Sequence, residues 1–242
     1  MHNRTPPVIA IIGSDGSGKS TVSEHIAQWM EQFGKTAPVH LGKQSGNVGR
    51  SLANLPVVGK ILGKSLNKQT DKANKKLGEG KQPSLFAALV ISAFTIRRIR
   101  RFNRMLQLRK EGYIILADRF PQADIHKAFD GPGFSDSNEG SCLVKRLADR
   151  EKRVFKWMAS FKPDLVIKLH VDLDTALARK PDHSPESLKR KIEVTPKLTY
   201  AGAPTVDVDT NRPLDEVLAD VKANITRLMV ARGYPAPNAS AE

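Results

Sequence analysis

The residues best suited to chemistry lie in one short run near the start of the chain. Gly13, Gly18, Lys19 and Ser20 fit the pattern Gly-x-x-x-x-Gly-Lys-[Ser/Thr] of a phosphate-binding loop. Backbone N–H groups of such a loop, with the N-terminus of the following helix, form a nest for anionic oxygens. We predict a nucleotide site in which Lys19 binds the β- and γ-phosphates and Ser20 ligates Mg²⁺. The candidate nucleotide-binding residues here are Gly13, Ser14, Gly16, Ser17, Gly18, Lys19, Ser20 and Thr21.

A second candidate pair, Asp118 and Arg119, directly follows the apolar run 113–117. A carboxylate that ends a strand beside a phosphate-binding loop is placed to hold Mg²⁺ or its water shell. An arginine one residue further on can bind a phosphate through two N–H groups. The alternative is a surface ion pair between the two side chains. We expect Asp118 to contribute to a magnesium site and Arg119 to act in catalysis.

Basic side chains supply further candidates in two predicted helices. In the first helix, Arg97, Arg101 and Arg104 share a face, whereas Arg98 and Arg109 are expected to point elsewhere. The second helix, within 180–193, is basic and is predicted to be a lid that closes over the phosphates and excludes water. Its candidate catalytic residues are Lys189 and Arg190.

The elements that must position these residues alternate between strand and helix along the whole chain. This alternation predicts an α/β, three-layer P-loop fold, with a parallel, doubly wound sheet of about five strands flanked by helices. The long helix 85–110 has a nearly all-apolar first half, which we expect in the core, and Trp157 is expected to be buried as well. The strands are predicted at 8–12, 37–41, 113–117, 164–171 and 203–209.

Length and composition are those of one cytoplasmic domain spanning 1–242. The net charge of +14 and the pI of about 10.0 favour polyanionic partners. Cys142 is the only cysteine, which excludes an internal disulfide framework. Residues 1–7 lack the apolar core of a signal peptide, and the apolar segment 85–96 is too short to cross a bilayer. We predict a disordered tail at 233–242.

A basic insertion at about 43–83 is the least regular part of the chain. Apolar residues recur in it at roughly helical spacing, but proline and glycine interrupt them, and seven lysines between positions 60 and 81 surround them. The segment 47–81 would be a mobile cover over the acceptor site, a peripheral contact to an anionic membrane, or a solvated insertion.

The order of these motifs resembles the thymidylate kinase family of nucleoside monophosphate kinases. The resemblance rests on the P-loop, the arginine-bearing helix, Asp-Arg-Phe at 118–120, Pro-Asp-Leu-Val-Ile at 163–167 and the basic lid. It implies that Asp15 faces the sugar of the acceptor, that Arg97 and Arg119 bind its phosphate, and that the protein is a homodimer. Phe86 is counted among the acceptor contacts, and Asn211 is placed near adenine.

Two stretches depart from the family pattern. Family members carry an Arg-Glu-Pro-Gly-Gly-Thr-like segment after the second strand, where this chain has Leu-Gly-Lys-Gln-Ser-Gly at 41–46. The spacing after the Asp-Arg-aromatic motif is lengthened, with Ala-Phe-Asp-Gly at 128–131. Both stretches shape the base pocket in the family, so they bear on which acceptor is used.

The expected function is an ATP- and Mg²⁺-dependent kinase. It would transfer the γ-phosphoryl group to a small acceptor, in the first place a nucleoside monophosphate such as dTMP. Two alternatives remain: a kinase of the same fold with a non-nucleotide acceptor such as a sugar or glycan precursor, and an ATP-dependent binding or switch protein at a nucleic acid or membrane surface.

Overall fold

A central sheet of five parallel strands runs in the order β2-β3-β1-β4-β5. The computed structural model describes residues 5–42, 83–125, 129–134 and 141–236, without the side chain of Phe86. The predicted insertion at 43–83 and the end of the predicted tail therefore lie almost wholly outside the described residues. The strands are β1 (Val8–Gly13), β2 (Thr36–His40), β3 (Ile114–Asp118), β4 (Leu165–His170) and β5 (Thr205–Asp209).

Helices cover both faces of this sheet, which confirms the predicted three-layer α/β P-loop fold. Helices α1 and α6 pack on one face and helices α2 and α3 on the other. Two shorter helices, α4 and α5, pack against each other through Val171, Ala176 and Leu188. The helices are α1 (Lys19–Met30), α2 (Leu85–Lys110), α3 (Cys142–Ser160), α4 (Leu173–Arg179), α5 (Pro185–Val194) and α6 (Leu214–Ala231).

Strand β1 shows why the sequence must be apolar on both faces. Ile9 and Ile11 point into the layer of α1 and α6, while Val8, Ala10 and Ile12 point into the layer of α2 and α3. All five are buried, as expected for a central parallel strand covered by helices on both sides.

The strand order also locates a ligand crevice. Neighbours β1 and β3 are followed by connections that leave towards opposite faces, since α1 and α3 lie on different layers. Ligands of open α/β sheets bind at such a switch point, outside the carboxyl ends of the strands. The P-loop follows β1 and the Asp118–Arg119 pair lies at the end of β3, so both reach this crevice.

Two expectations about burial are wrong. Trp157 is 38 % exposed, although its ring packs edge-on against Phe102 and Phe161. The apolar first half of α2 is only partly buried: Leu85 and Leu89 are exposed.

Among the described helices, none is long and apolar enough to pass through a bilayer.

Candidate active site

The P-loop is built by glycines that allow unusually close backbone packing. Gly16 has φ of +84°, a conformation that side chains disfavour, and a Cβ there would lie 2.9 Å from the backbone of Ala176. Gly18, with φ of +77°, caps the N-terminus of α1 in the left-handed conformation. Ser17 is fully buried and its hydroxyl donates to the carbonyl oxygen of Ser14 at 2.9 Å. The loop therefore folds tightly at the N-terminus of α1, where helix dipole and free N–H groups favour an anion.

Lys19 is a buried cation at the centre of this loop. Its ammonium group donates to the carbonyl oxygen of Ser14 at 2.5 Å, and the residue is only 8 % exposed. Burial and the charge of Arg119 lower its pKa to about 8, against the opposing effect of nearby carboxylates. A buried ammonium of this kind is stabilised by any anion that enters, which suits the binding of phosphates.

Asp118 ends β3 and is bound by a histidine from the neighbouring strand. His40 lies opposite Asp118 in the register of β2 and β3, and its Nδ1 is 2.6 Å from Asp118 Oδ2. Burial alone would raise the pKa of Asp118, but His40, Arg119 and Lys19 outweigh it and lower the pKa. The group is therefore a carboxylate at neutral pH. The surface ion pair between Asp118 and Arg119 considered from the sequence is not formed.

The donor set fits a magnesium ion in its chemistry. The second carboxylate oxygen of Asp118, Oδ1, is buried and has no hydrogen-bond partner in the described residues. Ser20 is exposed in the first turn of α1, at the mouth of the loop. Carboxylate and hydroxyl oxygens, completed by water and phosphate oxygens, are what Mg²⁺ prefers. Within the described residues, there is no group of three or more acidic, histidine or cysteine side chains able to hold a metal without such additional ligands.

Arg119 connects the end of β3 to two carboxylates. Its guanidinium lies 3.2 Å from Asp15 in the P-loop and 3.7 Å from Asp130. Burial lowers its pKa, but Asp130, Asp15 and Asp118 outweigh burial and raise it. The residue adopts φ of +66°, a left-handed backbone that is rare away from glycine and occurs at functional sites. From this backbone the side chain of Arg119 extends to Asp15 in the P-loop.

The arginines of α2 are arranged differently from the prediction. Arg98, expected to point away, is 4 % exposed and donates to both the carbonyl oxygen and the carboxylate of Asp130. It therefore belongs to the network of Arg119. Arg101 donates to the carbonyl oxygens of His40 and Gly42, at 3.2 and 2.7 Å. Arg97 and Arg104 are exposed.

Helix α5, the predicted lid, contacts the P-loop through Lys191, which is not among the predicted catalytic residues. Lys191 donates to Asp15, and His183 lies 3.9 Å from the same carboxylate. Burial would raise the pKa of Asp15, but Lys191, Lys19 and Arg119 lower it to about 2. Lys189 and Arg190, the candidate catalytic residues of the lid, are exposed in this arrangement.

The expected adenine region lies beside the loop as well. Arg179 of α4 donates to the carbonyl oxygens of Gly16 and Thr210, and so joins the P-loop to the residues that follow β5. Asn211 accepts from the backbone of Asp172 and donates to Asp209. The side chain of Phe86 lies outside the described part of the chain.

Sequence reasoning missed several residues of this site for identifiable reasons. His40 and Lys191 belong to no motif, and Asp130 appears only within the stretch 128–131, with no role assigned to its side chain. The partners of all three come from distant parts of the chain. Of these residues, only His40 could have been found from the sequence. It is a polar residue at the carboxyl end of a strand next to β3, and such a residue lies at the crevice.

Comparison with known proteins gives a family. The chain is 38 % identical over 218 residues to a protein of Escherichia coli K12 named an uncharacterized ATP-binding protein, YghS, covering 89 % of this chain and 91 % of that one. It is 34 % identical over 229 residues to YghR of the same strain, named in the same way, covering 94 % and 90 %. The chain belongs to the family of YghS and YghR.

A more distant relative carries an enzyme name. A probable thymidylate kinase of Archaeoglobus fulgidus is 24 % identical over 220 residues, covering 89 % of this chain and 92 % of that protein. No protein-family model matches the chain. The matches place the chain in a P-loop family named for ATP binding, with thymidylate kinase at a greater distance.

Proposed function

We propose that the protein is an ATP- and Mg²⁺-dependent kinase that transfers the γ-phosphoryl group to a small acceptor, most simply a nucleoside monophosphate such as dTMP. One observation carries the proposal. The crevice brings the buried ammonium of Lys19 within electrostatic reach of Asp15, Asp118 and Arg119, which come from the loops of two adjacent strands. Binding of ATP with Mg²⁺ would engage the P-loop and Asp118, and Arg119 is the further cation that the crevice would offer to an acceptor phosphate.

The chain's own groups have distinct roles in this reaction. Lys19 would neutralise charge on the migrating phosphoryl group, in a site whose burial strengthens the interaction. Ser20 and Asp118 would hold Mg²⁺, which would supply neutralisation of the phosphate charge. Arg119 would orient the acceptor phosphate with two parallel N–H groups. Phosphoryl transfer depends mainly on positioning and charge stabilisation, so no covalent intermediate is needed.

The ion pairs around Asp15 support a role for the lid. Lys191 and Arg119 both contact this carboxylate, so α5 is already seated over the P-loop. Entry of phosphates would offer these two cations stronger anionic partners than Asp15. We propose that α5 then closes further and brings Lys189 or Arg190 onto the phosphates, excluding water that would hydrolyse ATP.

The decisive experiment is a screen of ADP release. The purified protein is incubated with ATP and Mg²⁺ and with single acceptors drawn from nucleoside monophosphates, nucleosides, sugars and sugar phosphates. Lys19→Ala, prepared identically, controls for contaminating ATPase. We expect at least one acceptor to raise ADP release well above the rate without acceptor, with the phosphorylated product identified by mass spectrometry.

The outcomes separate the alternatives. Turnover with sugars only would replace the nucleotide acceptor by a non-nucleotide one. Tight ATP binding without stimulation by any acceptor would contradict the kinase proposal and favour a nucleotide-dependent switch.

Two proposals concern partners. By resemblance to thymidylate kinases we propose a homodimer, which sedimentation velocity would contradict by finding only the monomer mass.

For the segment 47–81 we propose contact with anionic lipid, which should weaken steeply between low and physiological salt. Absence of binding to anionic vesicles at low salt would leave this segment as a cover or a solvated loop.

A further inference from the structure

His40 lies in the crevice, yet the proposed transfer gives its imidazole no task. Because a carboxylate can only accept hydrogen bonds, the contact at 2.6 Å between His40 Nδ1 and Asp118 Oδ2 assigns the proton to Nδ1. We propose that His40 is a positioning residue: it fixes the carboxylate of Asp118 in the orientation that binds Mg²⁺, directly or through a metal-bound water. The inference rests on the proposed Mg²⁺-dependent function.

The backbone that carries His40 is held in place from several directions. The N–H of Leu41 donates to the carbonyl oxygen of Asp118 at 3.0 Å, which extends the pairing of β2 and β3 by one residue. Arg101 binds the carbonyl oxygens on both sides of Leu41. At Gly42, a Cβ would lie 2.3 Å from Arg119 Cδ and 2.8 Å from His40 Nε2, so a larger residue there would displace at least one of these two side chains. A histidine fixed this closely can define the orientation of its partner.

The second carboxylate oxygen of Asp118, Oδ1, indicates why the orientation of this side chain matters. His40 occupies Oδ2, whereas Oδ1 is buried and lacks a partner within the described residues. Buried carboxylate oxygens without a partner are rare, because desolvation is then not compensated. A hard cation or its water shell would supply the missing partner. Hydrogen-bond partners of metal ligands typically account for 10- to 100-fold in metal affinity.

Competing cations explain why the histidine is needed. Arg119 and Lys19 are close enough for their charges to influence Asp118. Without His40, the carboxylate would be free to turn and pair with one of them, which would remove both the metal ligand and a phosphate-binding cation. The histidine therefore keeps Asp118 and its cationic neighbours in separate roles.

The test measures metal binding rather than turnover. Mn²⁺, which replaces Mg²⁺ at oxygen ligands and is visible by electron paramagnetic resonance, is titrated into the protein saturated with a non-hydrolysable ATP analogue. For His40→Leu we expect Mn²⁺ affinity to fall about 10- to 100-fold, with the affinity for the analogue in EDTA unchanged. His40→Asn, which keeps a donor at the δ position, should recover most of the affinity. His40→Gln, whose donor lies one atom further out, should recover less.

His170 provides a matched control on the opposite side of the sheet. Its Nε2 lies 2.6 Å from Asp207 Oδ1, so His170→Leu removes a histidine–aspartate pair of equal length outside the crevice. We expect His170→Leu to bind Mn²⁺ like the wild type.

The other possible results contradict either the positioning role of His40 or the Mg²⁺-dependent function. If Asp118→Asn weakens Mn²⁺ binding but all three His40 variants match the wild type, the positioning role is wrong and the kinase proposal stands. If His40→Leu weakens metal-free analogue binding to the same extent as Mn²⁺ binding, its role is merely structural and the inference is wrong. If the wild type shows no metal-dependent change at all, the Mg²⁺-dependent function and the inference fall together. Should His40→Leu not fold, the difference between His40→Asn and His40→Gln decides.

Discussion

The two sides of the sheet's carboxyl edge carry the same kinds of ion pair in different surroundings. On the β2–β3 side, His40 pairs with Asp118 at 2.6 Å, and on the β4–β5 side His170 pairs with Asp207 at the same distance. Asp118 is 23 % exposed and shares its neighbourhood with Lys19 and Arg119, whereas Asp207 is 61 % exposed. Distance alone therefore does not distinguish a site from a solvated surface pair.

The two sides differ in how many other charged side chains the carboxylates contact. In the crevice, the carboxylates contact shared cations: Arg119 reaches both Asp15 and Asp130, and Asp130 also binds Arg98. Removing one charge there leaves others buried and uncompensated. At the β5 edge, water can replace a lost partner. Removal of comparable groups from the two sides should therefore have unequal effects.

The largest effect is expected for the buried pair of Arg98 and Asp130, whose side chains are 4 % and 6 % exposed. Arg98→Ala should lower the free energy of unfolding by about 3–5 kcal/mol, because it leaves the carboxylate of Asp130 buried with only the more distant Arg119, at 3.7 Å, as a cationic partner. Arg212 contacts Asp220 and Glu216 on the surface, and Arg212→Ala should leave stability unchanged within error. Urea denaturation measures both.

A double variant tests the cause of that effect. Combining Arg98→Ala with Asp130→Asn removes the uncompensated charge, so part of the lost stability should return. If Arg98→Ala is as harmless as Arg212→Ala, burial does not distinguish the two sides as argued.

The arginines of α2 show where sequence reasoning succeeds and where it ends. The bounds of α2, 85–110, were predictable from its cap and apolar spacing, and both site motifs are local in sequence. Neighbouring residues of a helix lie about 100° apart, so identifying the buried arginine requires knowing the absolute rotation of α2. That rotation is set by packing on the sheet, which buries Phe102 and Met105 and places Arg98 beside Asp130. The partner comes from an irregular loop whose path no periodicity predicts.

The next largest effect concerns two buried lysines. Lys19 donates to a carbonyl oxygen in the crevice, and Lys168 of β4 donates to the carbonyl oxygen of Pro196 at 3.2 Å. They are 8 % and 5 % exposed. Lys19→Ala should lower kcat about a hundredfold or more, since its charge acts on the transition state. For Lys168→Ala, the turnover per folded molecule should equal that of the wild type. Steady-state ADP release with the best acceptor measures both, and near-normal turnover of folded Lys19→Ala would contradict the P-loop assignment.

A smaller effect is expected from Asp15, whose pKa is lowered to about 2 in the folded protein from 3.8. The unfolded chain binds the proton more readily, so this group stabilises the fold above about pH 4, and that contribution is lost as the pH falls towards 2. After allowance for partial solvent screening it amounts to about 1–2 kcal/mol.

The measurement compares urea midpoints of the wild type and Asp15→Asn at pH 6, 4 and 3. The difference between the two proteins should be largest at pH 6 and shrink as the pH falls. Asp207→Asn, at the exposed edge, should differ less from the wild type at pH 6. A difference for Asp15→Asn that does not depend on pH would mean that its carboxylate charge is not the cause.

The smallest and most informative difference is between two exposed arginines of α2. Burial lowers the pKa of Arg101, and the charges of Arg98 and Arg97 lower it further, so Arg97 lies near the guanidinium that binds the carbonyl groups after β2. Arg104 lies two turns further along the helix and is also exposed. Arg97→Ala should therefore lower kcat/KM for the acceptor about tenfold, the loss expected for one charge-assisted hydrogen bond, with ATP affinity nearly unchanged. Arg97→Lys should restore only part, because an ammonium cannot form two parallel N–H contacts. Arg104→Ala should change the acceptor kinetics little.

If both alanine variants lose acceptor turnover equally, or neither does, the acceptor phosphate does not bind at Arg97. The buried Arg98 and Arg119, the residue after Asp118, then become the cations to test.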